Sequence, residues 1–119
     1  MSGCDQESDA LKILRVVSYE KSFHFSSKEG VYTGITATCL EDFASKLDIA
    51  NVDSVIFHYG RGDFQYWIQD TIGDRKLANQ FSSVNTGLPG DQLKKQLTNM
   101  LHKRIAELKS LEWIETKGI

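Results

Sequence analysis

The stretch VDSVIFHYGRGDFQYWI, residues 52–68, admits two readings, and they lead to different folds. Val52, Val55, Ile56 and Tyr59 recur at the spacing of one helical face, whereas Val55, Phe57 and Tyr59 alternate as on a strand. Asp53 or Ser54 as an N-cap, with Gly60 as a stop, favours the helix. Asp63 then caps a second helix carrying Phe64, Trp67, Ile68 and Ile72, which Gly73 ends. Asp74 caps a short third helix with Leu77, Ala78 and Phe81.

Beyond this block, residues 82–90 hold Ser, Asn, Thr, Gly and the single Pro, the composition of a loop. Leu93, Leu97, Leu101, Ile105, Leu108 and Leu111 form the clearest periodicity of the chain and predict an amphipathic helix over about 91–112. Upstream, Phe23 and Phe25 alternate with Ser22, His24 and Ser26, and Val31, Thr33 and Ile35 do so more loosely. Gly30 suits the turn between them, so a β-hairpin is expected at about 21–27 and 31–37. Thr38 and Glu41 have the spacing of a capping box ahead of a helix with Leu40, Phe43, Ala44 and Leu47. Leu11, Ile13, Leu14 and Val17 can line an earlier helical face behind Ser8 or Asp9, although Val16 and Val17 also suit a strand. Residues 1–8 read as a polar, disordered tail.

The expected architecture is α+β: an N-terminal hairpin, then a mainly helical region ending in a long helix. A chain of 119 residues has the length of one domain, taken here as 9–119. Core candidates are Phe23, Phe25, Leu40, Phe43, Leu47, Val55, Phe64, Trp67, Ile68, Leu77, Leu97, Leu101, Ile105 and Leu108.

Several functions are disfavoured by composition. No apolar run approaches a membrane span, and residues 1–7 lack a signal-peptide pattern. Cys4 and Cys39 form no motif, so a reducing cytoplasm is expected. A net charge of −2 exerts no global pull on nucleic acid. Metal ligands are scattered over His24, His58, His102, Cys4 and Cys39 without a binding spacing, and no phosphate loop or cofactor motif is present.

Three sites merit attention. The first is a polar group at His58, Arg61 and Asp63, where a histidine five residues before an aspartate can form an acid/base pair or hold a turn. The Arg61-Gly62-Asp63 triplet itself reads as a turn and a cap. The second is a partner surface drawn from Phe57, Tyr59 and Tyr66, with whichever of Phe57 and Tyr59 loses the core facing outward. The third is a basic face of the last helix, Lys94, Lys95, His102, Lys103 and Arg104, for nucleic acid.

Tyr32-Thr33-Gly34, the stretch from Thr36 or Thr38 to Phe43, Phe57-His58, Gly62 to Trp67 and Gly73 to Ala78 occur in order. This order resembles a family of small, uncharacterised prokaryotic, chiefly archaeal, proteins over about residues 19–112. Ser22, His24 and the polar 82–90 loop depart from that pattern. The resemblance implies an intracellular one-domain protein and brings no activity. The expected function is therefore a non-enzymatic protein-interaction or regulatory module, self-association included. Nucleic-acid binding by the last helix, or a small enzyme or ligand-binding protein centred on His58 and Asp63, are the rivals.

Overall fold

In the computed structural model, described for residues 10–28, 30–85 and 87–117, with side chains to Trp113, a hairpin leads into a helical body. Residues 10–14 form α1, and one 3₁₀ turn follows at Tyr19–Lys21. The hairpin is β1 (Phe23–Lys28) and β2 (Val31–Ala37), paired antiparallel with two irregularities in register. Next come α2 (Leu40–Ile49), α3 (Val52–Arg61) and α4 (Asp63–Tyr66), the last widening into a π-helical turn at Trp67–Ile72. Helices α5 (Arg75–Ser82) and α6 (Gly90–Lys117) complete the chain. The α+β architecture, the hairpin and the long last helix are as expected, with α6 starting before Asp91 and passing Glu112.

Residues 52–61 are helical, because the buried positions Ser54, Val55, His58 and Tyr59 fall on one helical stripe. The details differ from expectation in three ways. The cap is Asn51, whose side chain accepts from the Asp53 N–H at 2.8 Å. The stop is Gly62, in the left-handed region at φ 78°, while Gly60 lies within the helix. Ile56, expected on the buried face, is exposed.

Upstream, Cys39 caps α2: its Sγ accepts from the Asp42 N–H, and Asp42 in turn accepts from the Thr38 N–H at 3.0 Å. The cap therefore falls one residue later than Thr38, and Asp42 in place of Glu41 reaches back, to the Thr38 N–H rather than to that of the capping Cys39. Helix α1 ends before Val17, whose N–H donates to Thr38 O at 2.8 Å, and Leu11 is exposed. The caps proposed at Ser8 and Asp9, and the tail at 1–8, lie outside the described residues. Gly73 (φ 94°) stops the helical segment and Asp74 caps α5, as the sequence suggests.

The core is continuous from the hairpin to α6. Phe23 and Phe25, on the inner face of β1, meet Phe43 of α2 and Phe64 of α4 with ring centroids 5.2–6.1 Å apart. Leu93, Leu97, Leu101, Ile105 and Leu108 bury the α6 stripe, and α6 packs on α2, α3 and α5. Each such side chain contributes about 1.5–3 kcal/mol of burial free energy. The first turn of α6 approaches α3 closely. A Cβ on Gly90 would lie 2.3 Å from Val52 Cγ1 and 2.8 Å from Ile56 Cδ1. Gly90→Ala is therefore expected to cost about 1–3 kcal/mol in urea unfolding. An unchanged midpoint would mean that Val52 and Ile56 yield freely.

Candidate functional site

His58 follows Ser54 by one helical turn on α3 and faces β1. It is only 5% exposed, and both ring nitrogens are engaged. Nε2 accepts from the Ser26 N–H at 2.8 Å, and Nδ1 lies 2.8 Å from Asp63 Oδ2. A backbone N–H can only donate, so Nε2 carries no proton and the neutral ring holds its proton on Nδ1, donating to Asp63. One turn earlier, Ser54 Oγ donates to Ser26 O at 2.6 Å. Both main-chain groups of Ser26 are thus satisfied by α3 side chains, which take the place of a neighbouring strand.

This geometry resembles a catalytic histidine–aspartate pair, but the nitrogen that would take up a proton is capped by the main chain. Burial pushes the His58 pKa down, against the opposing pull of Asp63 and with a contribution from the Arg61 charge. The native state therefore holds fewer protons on this ring than the unfolded chain, whose histidine titrates near 6.5. The stability tied to the neutral ring is complete above about pH 6.5 and is lost as pH falls toward the depressed folded value. Urea midpoints at pH 7.5 and 5 should show this loss in the native chain and a smaller one in His58→Gln. Equal pH dependence in the two proteins would contradict the assignment.

Asp63 does not cap α4. No side-chain cap exists there, because the carboxylate is turned toward His58 and, at 3.4 Å, toward Arg61 Nε. Arg61 also lies over the Phe57 ring, 5.0 Å from its centroid. His58, Arg61 and Asp63 are thus brought together as one interlocked corner.

An open groove of about 320 Å³ reaches that corner, lined by Lys21, His24, His58, Asp63, Tyr66 and Trp67 among others. Trp67 Nε1 donates to Lys21 O at 2.7 Å, tying the π-helical turn to the 3₁₀ turn. The groove continues past Lys21, Tyr66 and Thr71 to a polar stretch with Arg15 and Asp70. Arg15 is committed there to the carbonyls of Lys12, Thr71 and Ile72.

Of the expected partner surface, Tyr66 is 69% exposed, and Phe57 is half-buried beneath Arg61. Tyr59 is buried, with its single hydroxyl proton within reach of Phe81 O at 2.6 Å and Val84 O at 2.9 Å, so it is a core residue. Other aromatics have joined the surface. Tyr19 and Tyr32 are exposed and flank His24, with centroids 4.8 and 5.9 Å from it. The alternation that buries Phe23 and Phe25 is the signal that could have placed His24 on this outer face.

The basic face of α6 is thinner than its sequence suggests. Arg104 is only 9% exposed and forms a forked pair with Asp74, Nε to Oδ2 at 2.7 Å and Nη2 to Oδ1 at 3.1 Å. Its Nη1 also donates to Glu107. Lys94 donates to Ala50 O at the end of α2, leaving Lys95, His102 and Lys103 exposed. Among the described residues no three His, Cys, Asp or Glu side chains converge as a metal site, and no helix is long and apolar enough to cross a membrane.

The model of one protein family, a family of unknown function (DUF5752), matches residues 59–118. That span holds α4, the π-helical turn, α5 and the described part of α6, with the Gly62-to-Trp67 and Gly73-to-Ala78 motifs. No curated protein and no solved structure matches the chain.

Proposed function

Because the chain belongs to DUF5752, whose description names no activity, we propose its function from geometry alone: a non-enzymatic interaction module that docks a partner polypeptide in the groove beside Tyr66. One observation carries the reading. The histidine–aspartate pair at the corner spends both ring nitrogens internally, while the adjoining tyrosine presents its ring to solvent. Exposed aromatics at the rim of a groove are the usual anchors of protein interfaces.

The nucleic-acid reading is weaker, since Arg104 and Lys94 are occupied within the fold. The enzyme reading needs an acid or base free to exchange a proton, and His58 is not free. A single domain over 9–119 and a cytoplasmic setting belong to the same proposal, as do Tyr32-Thr33-Gly34 and Phe57-His58 as parts of the family's pattern outside the matched residues.

A photoreactive amino acid at position 66, compared with one at exposed position 79, tests this in cells. A discrete polypeptide adduct is expected at 66 and absent at 79. Identical adducts at both positions, none at 66, or adducts to nucleic acid would overturn it.

A further inference from the structure

Among the described residues, three hydrogen bonds join the 3₁₀ turn and β1 to the helical body. Ser54 Oγ donates to Ser26 O, Trp67 Nε1 donates to Lys21 O, and the Ser26 N–H donates to His58 Nε2. The hydroxyl and the indole remain donors throughout the range in which histidines titrate. The third bond does not survive that range unchanged. Nε2 accepts only while it carries no proton, and an imidazolium turns it into a donor facing a donor. The Ser26 N–H then has no acceptor.

The groups facing this ring do not repair the loss. From α4, Asp63 bonds Nδ1 at 2.8 Å whether or not the ring is charged, and Arg61 of α3 lies 3.4 Å from the same carboxylate oxygen. From β1 the ring meets only Phe23 and Phe25, while Glu20, Lys21 and His24 share the groove it lines. His24 behaves differently. Its Nε2 donates to Tyr19 O at 3.1 Å, and its Nδ1 lies 2.9 Å from the Thr36 hydroxyl, which can either donate or accept. Charging His24 therefore breaks neither of its bonds.

We infer that His58 is an acid-released latch: its protonation parts the second half of β1 from α3 at Ser26 while the helical body stays folded. From Ser26 to Lys28 the strand is half-buried or exposed, so it can part from α3 without uncovering Phe23 or Phe25. The ring is also part of the groove lining, so its release changes the groove's own wall. Burial holds the closed ring's pKa below the ordinary value, and a ring freed to water titrates near 6.5. Opening therefore becomes about tenfold more favourable per pH unit between about 6.5 and the lower closed value, and does not vary above 6.5. The latch regulates partner docking only if the groove at Tyr66 is the docking site, but its opening does not depend on that.

Amide exchange of the full chain between about pH 7.5 and 4.5, with and without urea below the unfolding range, is the test, alongside the NMR titration of the His58 imidazole. Exchange is read as protection relative to a free chain, since intrinsic exchange itself slows in acid. Protection of the Ser26 amide should be constant above about pH 6.5 and fall about tenfold per pH unit below it until the closed ring has titrated. It should stay below that of Leu97 and Leu101 in α6 and change little with urea, the mark of a local opening. His58→Gln should abolish the pH dependence, and His24→Gln should keep it. Ser26 protection equal to that of Leu101 at every pH overturns the proposal, because the strand then parts only on global unfolding. A pH profile that His58→Gln leaves unchanged overturns it too. If His58→Gln does not fold, the native chain decides: Ser26 protection that stays flat while the imidazole titrates contradicts the latch. No partner enters the measurement, so the latch and the adduct at position 66 can each fail without the other.

Discussion

Asp74→Ala is expected to lower the unfolding free energy by about 3–5 kcal/mol, the usual cost of stranding one member of a buried ion pair. The carboxylate has three tasks. Oδ1 accepts from the Leu77 N–H at 3.1 Å, capping α5, and from Arg104 Nη2; Oδ2 accepts from Arg104 Nε. Alanine removes the cap and leaves a guanidinium with almost no access to water, held only by Glu107. The charge, not the lost contact area, dominates the effect. The double variant Asp74→Ala, Arg104→Met should therefore recover part of the loss, because no charge remains to be stranded. Urea unfolding of the single and double variants measures this. A single-variant loss below about 1 kcal/mol, or a double variant worse than the single, would mean that the pair is not buried in solution.

His58→Ala is the second large effect, roughly 3 kcal/mol. An unpartnered Ser26 N–H costs about 1–3 kcal/mol, and the space left among Phe23, Phe25 and Phe64 adds a cavity penalty. Those rings pack against the imidazole with centroids 4.8–6.0 Å away, and its remaining side borders the open groove. His58→Gln returns an acceptor oxygen near the Nε2 position and should restore part of the stability. Amide exchange separates the causes: Ser26 should lose protection in the alanine variant and regain it in the glutamine variant. If the two variants are equally unstable with Ser26 equally exposed, the histidine acts through packing alone.

How far these features were readable from the sequence depended on how local their causes are. The hairpin followed from the alternation at Phe23 and Phe25, and α6 from the spacing of its leucines. The Asp74 cap followed from a carboxylate placed directly before a helical run. Where two neighbouring residues could serve the same purpose, local chemistry gave the wrong one. Gly60 and Gly62 are both glycines, and only the chain's path shows which turns left-handed. Thr38 is a better cap by type than Cys39, yet the shorter Asp42 reaches back where Glu41 was expected to.

Pairings across the fold were invisible. Asp74 meets Arg104 thirty residues away, and His58 meets Ser26 at a separation of thirty-two. On a helical projection Arg104 sits at the edge of the polar face of α6, which is why it counted among the cations available to nucleic acid. The buried carboxylate that withdraws it belongs to another element. Phe57 and Tyr59 depended on the rotation of α3, which carbonyl acceptors at Phe81 and Val84 settle in favour of Tyr59 as the buried ring.

His58 is held as an acceptor for the Ser26 N–H and as a partner of Asp63, a structural position rather than one suited to proton transfer. The nitrogen NMR spectrum of its imidazole at neutral pH tests this directly. The expected result is a neutral ring with the proton on Nδ1, an unprotonated Nε2, and a slowly exchanging Ser26 amide. A ring protonated at Nε2, or an imidazolium at neutral pH, would contradict it and return His58 and Asp63 to candidacy as an acid/base pair.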